Sequence, residues 1–237
     1  MRAILLVLVM ALLSGCLGGN PDVTRRFYSL QAPNRPQNGV DRRFPARLLV
    51  RSFDVTLAYK KQEIVYRLNP WEFSYYNYRL WAARPDKMLR DVITAHLRRI
   101  RLVSEVSERV REDLPDLELE GEVLALEELD SSESEWYGHL AMRVVLLNYA
   151  DRKPLWEYSF DEKVLVAERT PIHVVRAVNE ILVIQLEKIV EGLDRALVRA
   201  GYEPGGAPVA PKVTGPEIKP EVTPEPPVTR PGARRIK

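Results

Sequence analysis

The residue best suited to covalent chemistry is the single cysteine, Cys16, which closes the run Leu13-Ser14-Gly15-Cys16. Arg2 precedes eleven consecutive apolar residues, Ala3 through Leu13. That run is too short to span a bilayer, which takes about 18–20 residues. A basic start, a short apolar segment and small residues before a cut are the marks of a secretory signal. The segment looks like a bacterial lipobox. Small Ser14 and Gly15 let an extended backbone enter a signal-peptidase site, and a diacylglyceryl group on the Cys16 thiol makes it the new N-terminus. An ordinary signal peptide with a nearby thiol, or a buried structural cysteine, are the two plainer alternatives. Two or three acyl chains anchor firmly where one chain binds only marginally, since each buried CH₂ contributes about 0.8 kcal/mol. A lone cysteine also excludes an intramolecular disulfide framework and a multi-thiolate metal site.

The other reactive residue types are dispersed. His96, His139 and His173 fall on different elements, and none has a metal-ligating neighbour at ligand spacing on its own helix. His96 lies on an apolar helical stripe and reads as a core residue, and His173 reads as structural or surface. Asp130-Ser131-Ser132-Glu133-Ser134-Glu135 carries many oxygens but lacks the glycine and length of a calcium-binding loop, and reads as a solvated hairpin loop. No phosphate-cradling glycine loop and no nucleophile elbow is present. Nothing positive supports an enzyme, a metal or a cofactor. A net charge of +2 gives no case for a nucleic-acid binder. The strongest local signal is aromatic: Trp71, Phe73, Tyr75, Tyr76, Tyr78 and Trp81 crowd eleven positions. As a strand, this run puts Trp71, Phe73 and Tyr75 on one face and Tyr76 and Tyr78 on the other. It is a candidate partner or self-association surface, because aromatics bring contact area at low entropy cost; the plainer reading packs both faces inside.

Hydrophobic periodicity defines the elements that must position these residues. Residues 26–31, 46–53, 62–68 and 71–81 read as strands. Residues 85–99 read as a helix with Pro85 at its first position and Asp86 complementing its dipole. Residues 116–129, 136–149 and 155–167 read as three longer strands whose short connections make an antiparallel meander. Thr170 and Pro171 open a long helix that ends near Ala200, with Thr170 as N-cap. The expected fold is α/β: a mixed sheet with an antiparallel meander and two main helices. The organisation expected is a signal peptide over 1–15, a lipidated tether over 16–25, one domain over 26–202 and a disordered proline-rich tail over 203–237. That tail holds nine of the eighteen prolines and no aromatic residue, so it cannot bury a core.

The order of these motifs resembles a family. Cys16 is followed by Phe27-Tyr28-Ser29-Leu30, then Glu63-Ile64-Val65-Tyr66-Arg67, then Tyr75-Tyr76-Asn77-Tyr78-Arg79-Leu80-Trp81-Ala82 leading into Pro85-Asp86-Lys87-Met88-Leu89. This is similar to the ABC-type transport auxiliary lipoproteins, the group that includes paraquat-inducible protein C, over residues 13–200. Ala58-Tyr59-Lys60-Lys61 departs from the pattern. The resemblance implies a fold like the N-terminal domain of the Tol-system propeller protein. It implies a non-enzymatic, palmitate-bearing lipoprotein that faces the periplasm. Its partners would be an MCE-domain periplasmic protein, an ABC permease and ATPase, and outer-membrane lipids; a homo-oligomer is a separate expectation, from exposed sheet edges. Leu17 stands where an aspartate retains such lipoproteins in the inner membrane, so the outer membrane is expected. The alternative is an envelope scaffold or a lipopolysaccharide-assembly lipoprotein, with the basic proline-rich tail contacting peptidoglycan.

Overall fold

A computed structural model describes residues 24–33, 44–130 and 135–205. Cys16, most of the proline-rich tail and Ser131–Ser134 lie outside the described residues.

The organising element is one long strand. β7 (Leu117–Asp130) pairs along one edge with β8 (Trp136–Asn148), which pairs in turn with β9 (Pro154–Leu165). This is the expected antiparallel meander. The other edge of β7 is shared by three short strands in succession, all parallel to it. β2 (Phe44–Val50) takes Leu117 to Leu119, β3 (Asp54–Val55) takes Glu122 and Val123, and β4 (Glu63–Asn69) takes Glu127 to Leu129. A 3-10 turn, Leu57–Tyr59, fills the gap between β3 and β4. β5 (Glu72–Trp81) forms a hairpin with β4, and β1 (Arg26–Tyr28) runs parallel to β5. β6 (Val103–Ser107) extends the sheet beyond β2. The nine strands make one open, curled half-barrel.

Two helices cover one face. α1 (Pro85–Ile100) carries Pro85 in its first turn, Asp86 at its positive end and Arg98 and Arg99 at its negative end. It closes at Arg101, whose φ of 54° is left-handed. α2 (Pro171–Arg199) lies across β8 and β9. Gly138 of β8 permits that approach, because a Cβ there would stand 2.8 Å from Ala177 and 2.9 Å from the Val174 carbonyl. The end of α2 is a Schellman turn: Gly201, at φ 86°, donates to Val198 O, and Tyr202 donates to Leu197 O. At the start of α2, Thr170 occupies the N-cap position with extended dihedrals, but its hydroxyl pairs with His173 Nδ1 at 2.7 Å instead of capping a backbone N–H. The expected elements are present within a few residues. β3, the 3-10 turn and β6 are additions that no periodic pattern marks.

Candidate functional site

The aromatic strand is β5, and the structure divides its six expected surface residues among three environments. Trp81 is 1 % exposed and belongs to the hydrophobic core, so it is removed from the expected surface. The reason is its place at the strand's end, paired with Tyr28 of β1. Tyr75 and Tyr76 are half-buried with both hydroxyls engaged: Tyr75 donates to Ala58 O at 3.2 Å and Tyr76 to Glu128 at 2.9 Å. Trp71, Phe73 and Tyr78 remain exposed.

Register explains the division. Tyr75 pairs with Val65, which pairs with Glu127; Ser74 pairs with Tyr66, which pairs with Glu128. Tyr75 and Glu127 therefore share the face of the sheet away from α2, and Tyr76 and Glu128 share the covered face. Phe73 joins the open face, edge-on to Tyr59 at 5.9 Å and beneath the Arg67 guanidinium at 5.0 Å. Tyr76 packs on Tyr66 at 4.7 Å. A register irregularity between Tyr75 and Leu80 leaves Tyr78 outside both clusters.

Behind the hairpin, β7 carries two consecutive buried carboxylates. Glu127 accepts from Tyr59 Oη at 2.6 Å, from Arg67 Nη2, and pairs with His139 Nδ1 at 2.8 Å. The far nitrogen of that imidazole meets Asp161 at 2.8 Å. Burial pushes the Glu127 carboxyl up, but bonds from His139, Arg67 and Tyr59 outweigh it and hold it below the ordinary carboxylate range. Burial, then the bond to Glu127, pushes the Tyr59 hydroxyl up, so it stays a donor. Burial raises Glu128 to about 7 despite the donation from Tyr76 and the nearby charge of Arg169. Further along the open face Glu118 pairs with Arg51 and Arg152, so the same carboxylate pattern repeats. Burial pushes Glu118 up as well, and the two arginines bring it below the ordinary range.

These clusters brace the hairpin; they contain no nucleophile beside a base. Among the described residues no group of His, Cys, Asp and Glu could hold a metal ion. His96 is buried in α1 as expected, yet its Nδ1 has no hydrogen-bond partner, and burial lowers its pKa. His173 lies in the first turn of α2 beside Thr170. The expected strand ends, 129 opposite 136, set His139 one residue out of step with Glu127. In the hairpin register Glu127 faces His139, whereas a loop centred one half-residue earlier pairs Glu127 with Gly138.

The family model for the ABC-type transport auxiliary lipoprotein component matches residues 28–190, from the end of β1 to well inside α2. The chain belongs to this family. It is a transport-auxiliary lipoprotein family rather than an enzyme family. Its fold is shared by the crystal structure of XCC0632 from Xanthomonas campestris, which is 17 % identical with a TM-score of 0.66 over 74 % of this chain and 99 % of that one. A second crystal structure, of an uncharacterized protein, is 14 % identical with a TM-score of 0.56 over 72 % and 99 %. The rare lipoprotein B of Shewanella oneidensis is a more distant likeness, 13 % identical with a TM-score of 0.35 over 64 % and 98 %. No curated protein matches the sequence. No helix of this auxiliary lipoprotein, among the described residues, is long and apolar enough to cross a membrane.

Proposed function

We propose that this protein is a non-enzymatic auxiliary subunit of an MCE-type ABC lipid transport system, anchored in the outer membrane through acylated Cys16 and facing the periplasm. The family match over residues 28–190 carries this reading. The Leu13-Ser14-Gly15-Cys16 run supplies the anchor, and Leu17 supplies the choice of membrane. Residues 16–25 act as tether, 26–202 as the working domain and 203–237 as an appended tail.

The contact with the MCE subunit falls to the exposed aromatics of β5, Phe73 at 40 % and Tyr78 at 44 % exposed. Tyr75, Tyr76 and Trp81 act behind it as support. Capture of the purified MCE-domain protein by this lipoprotein tests the assignment. Phe73→Ala/Tyr78→Ala is expected to lower capture at least about tenfold, the loss of aromatic anchors in a contact. Undiminished capture with an unchanged melting curve removes the surface assignment. Failure of the native protein to capture the subunit removes the transport reading itself.

A further inference from the structure

We propose that the tip of the β4–β5 hairpin, Leu68 to Trp71, is a second membrane contact, seated at the lipid–water interface of the leaflet that holds Cys16. This rests on the proposed acylation of Cys16. Trp71 is 88 % exposed, the most exposed large apolar side chain among the described residues, and Leu68 is 55 % exposed beside it. A tryptophan in that setting suits a bilayer interface, where its ring meets acyl carbon and its N–H meets water.

The tip is braced. Trp71 N–H donates to Asn69 Oδ1 at 3.0 Å, Asn69 Nδ2 donates to Glu72 Oε2 at 3.4 Å, and Arg67 Nη1 donates to Pro70 O at 3.4 Å. The indole therefore projects from an ordered turn, and little further ordering opposes its insertion.

Strand direction brings anchor and tip to the same side. β1 is parallel to β5, in register from Arg26 beside Arg79 to Tyr28 beside Trp81. β1 therefore begins on the side of its pairing with β5 that faces Glu72 and the tip, and the chain that carries Cys16 joins the domain there. Cys16 is ten residues before Arg26 and Trp71 is eight before Arg79. Ten residues span at most about 33 Å and eight at most about 26 Å, so a tether of that length is long enough to let one membrane plane meet both. A tether of that length keeps the domain close to the bilayer. A single projecting side chain is a poor protein epitope, since stable protein contacts bury about 800 Å² per partner. Arg67 and Glu72 flank the tip with one charge of each sign, so the contact is apolar in character rather than electrostatic.

Fluorescence of the full lipidated chain in phosphatidylethanolamine/phosphatidylglycerol vesicles, with and without brominated acyl chains, tests this. Trp81 is 1 % and Trp136 8 % exposed, and Trp156 is half-buried, so bromine reaches Trp71 first. Brominated lipid is expected to remove about a quarter of the emission and to shift the remainder, as for one interfacial indole among four. Trp71→Ser is expected to abolish the quenching while the protein still co-floats with the vesicles through Cys16. The quenching is expected to change less than about twofold between 0.05 and 0.5 M salt. Equal emission from plain and brominated vesicles, with the protein floated, overturns the proposal. So does quenching that survives Trp71→Ser. A loss of self-association in Trp71→Ser without any quenching in the native chain also overturns it, and gives the tip to a second copy. The anchor is read separately: Cys16→Ser that floats like the native chain removes the acylation reading, and Trp71 quenching in that variant still reports the tip.

Discussion

Glu127 and Glu128 are neighbours on β7, each 1 % exposed, and they point to opposite faces of one sheet. Burial pushes both carboxyls up. On the open face three donors reverse that push, and Glu127 is held ionised by His139, Arg67 and Tyr59. On the covered face Glu128 bonds Tyr76 and stands beside Gly138 under α2, and its carboxyl rises to about 7. Depth is therefore not what decides the charge state. What decides it is how strongly the surrounding donors and cations offset burial: Arg67 bonds Glu127 directly, whereas Arg169 acts on Glu128 through its charge alone and does not overcome the burial. The 3-10 turn and β4 enclose Glu127 and supply Tyr59 and Arg67; α2 encloses Glu128 and supplies mostly aliphatic side chains. Both carboxylates hold the β4–β5 hairpin from behind, so the proposed contact surface rests on two supports of different electrostatic kind.

The contrast breaks most visibly when the charged support is removed. Glu127→Ala removes the carboxylate that Arg67, Tyr59 and His139 share, and leaves the partly buried Arg67 guanidinium without that partner. A loss of about 3–5 kcal/mol is expected, typical of removing one partner of a buried pair, read as the shift of a urea unfolding midpoint at constant slope. The folded pKa of Glu127 is depressed, so its contribution is complete above the unfolded value and is lost as pH falls through the folded value. The gap between native and variant protein is therefore flat from pH 8 to 5 and narrows below about 4. A variant as stable as the native chain at pH 7 would show that the open face does not depend on this ion pair.

Glu128→Gln is the next largest change and has the opposite sign. A carboxyl raised to about 7 when folded destabilises the native state as pH climbs from its ordinary value of about 4.3 toward 7, because the unfolded chain ionises first. The amide avoids that. The variant is expected to match the native chain near pH 4.5 and to exceed it by about 3–4 kcal/mol at pH 8. A glutamine variant that is less stable at pH 8 would mean Glu128 is ionised and paired like its neighbour.

Much of this architecture is legible in the sequence, and the sites are not, for a physical reason. Alternation over residues 116–129, 136–149 and 155–167 marks the meander, because each strand's side chains meet two different environments. Pro85, Thr170 and Gly201 mark helix ends through local backbone constraints. The parallel addition of β2, β3 and β4 to the second edge of β7 leaves no local trace, since long-range pairing is set by packing and not by neighbours in sequence. Tyr59 shows the cost of that. It stands in Ala58-Tyr59-Lys60-Lys61, a segment that departs from the family's pattern, and only the interruption between β3 and β4 brings it 2.6 Å from Glu127. Glu118, Glu127 and Glu128 are charged residues on a strand, yet all three are buried, which no local pattern marks. Trp81 errs in the other direction, an aromatic at the end of a rich run that the core claims.

The smallest expected effect discriminates most finely between the two supports. Tyr59→Phe and Tyr76→Phe each delete one phenolic donor to a buried carboxyl, and each is expected to cost about 1 kcal/mol at neutral pH. Their pH profiles should part. Glu127 keeps Arg67 and His139 when Tyr59 is lost, remains ionised, and gives a Tyr59→Phe penalty that is constant from pH 5 to 8. Tyr76 favours the charged form of Glu128, so its removal moves that carboxyl further above 7. The Tyr76→Phe penalty is therefore larger at pH 8, where the native chain carries the carboxylate, than at pH 5, where it carries the acid. Equal penalties at both pH values would place Glu128 in one protonation state throughout, and the two faces of β7 would differ in their partners without differing in charge.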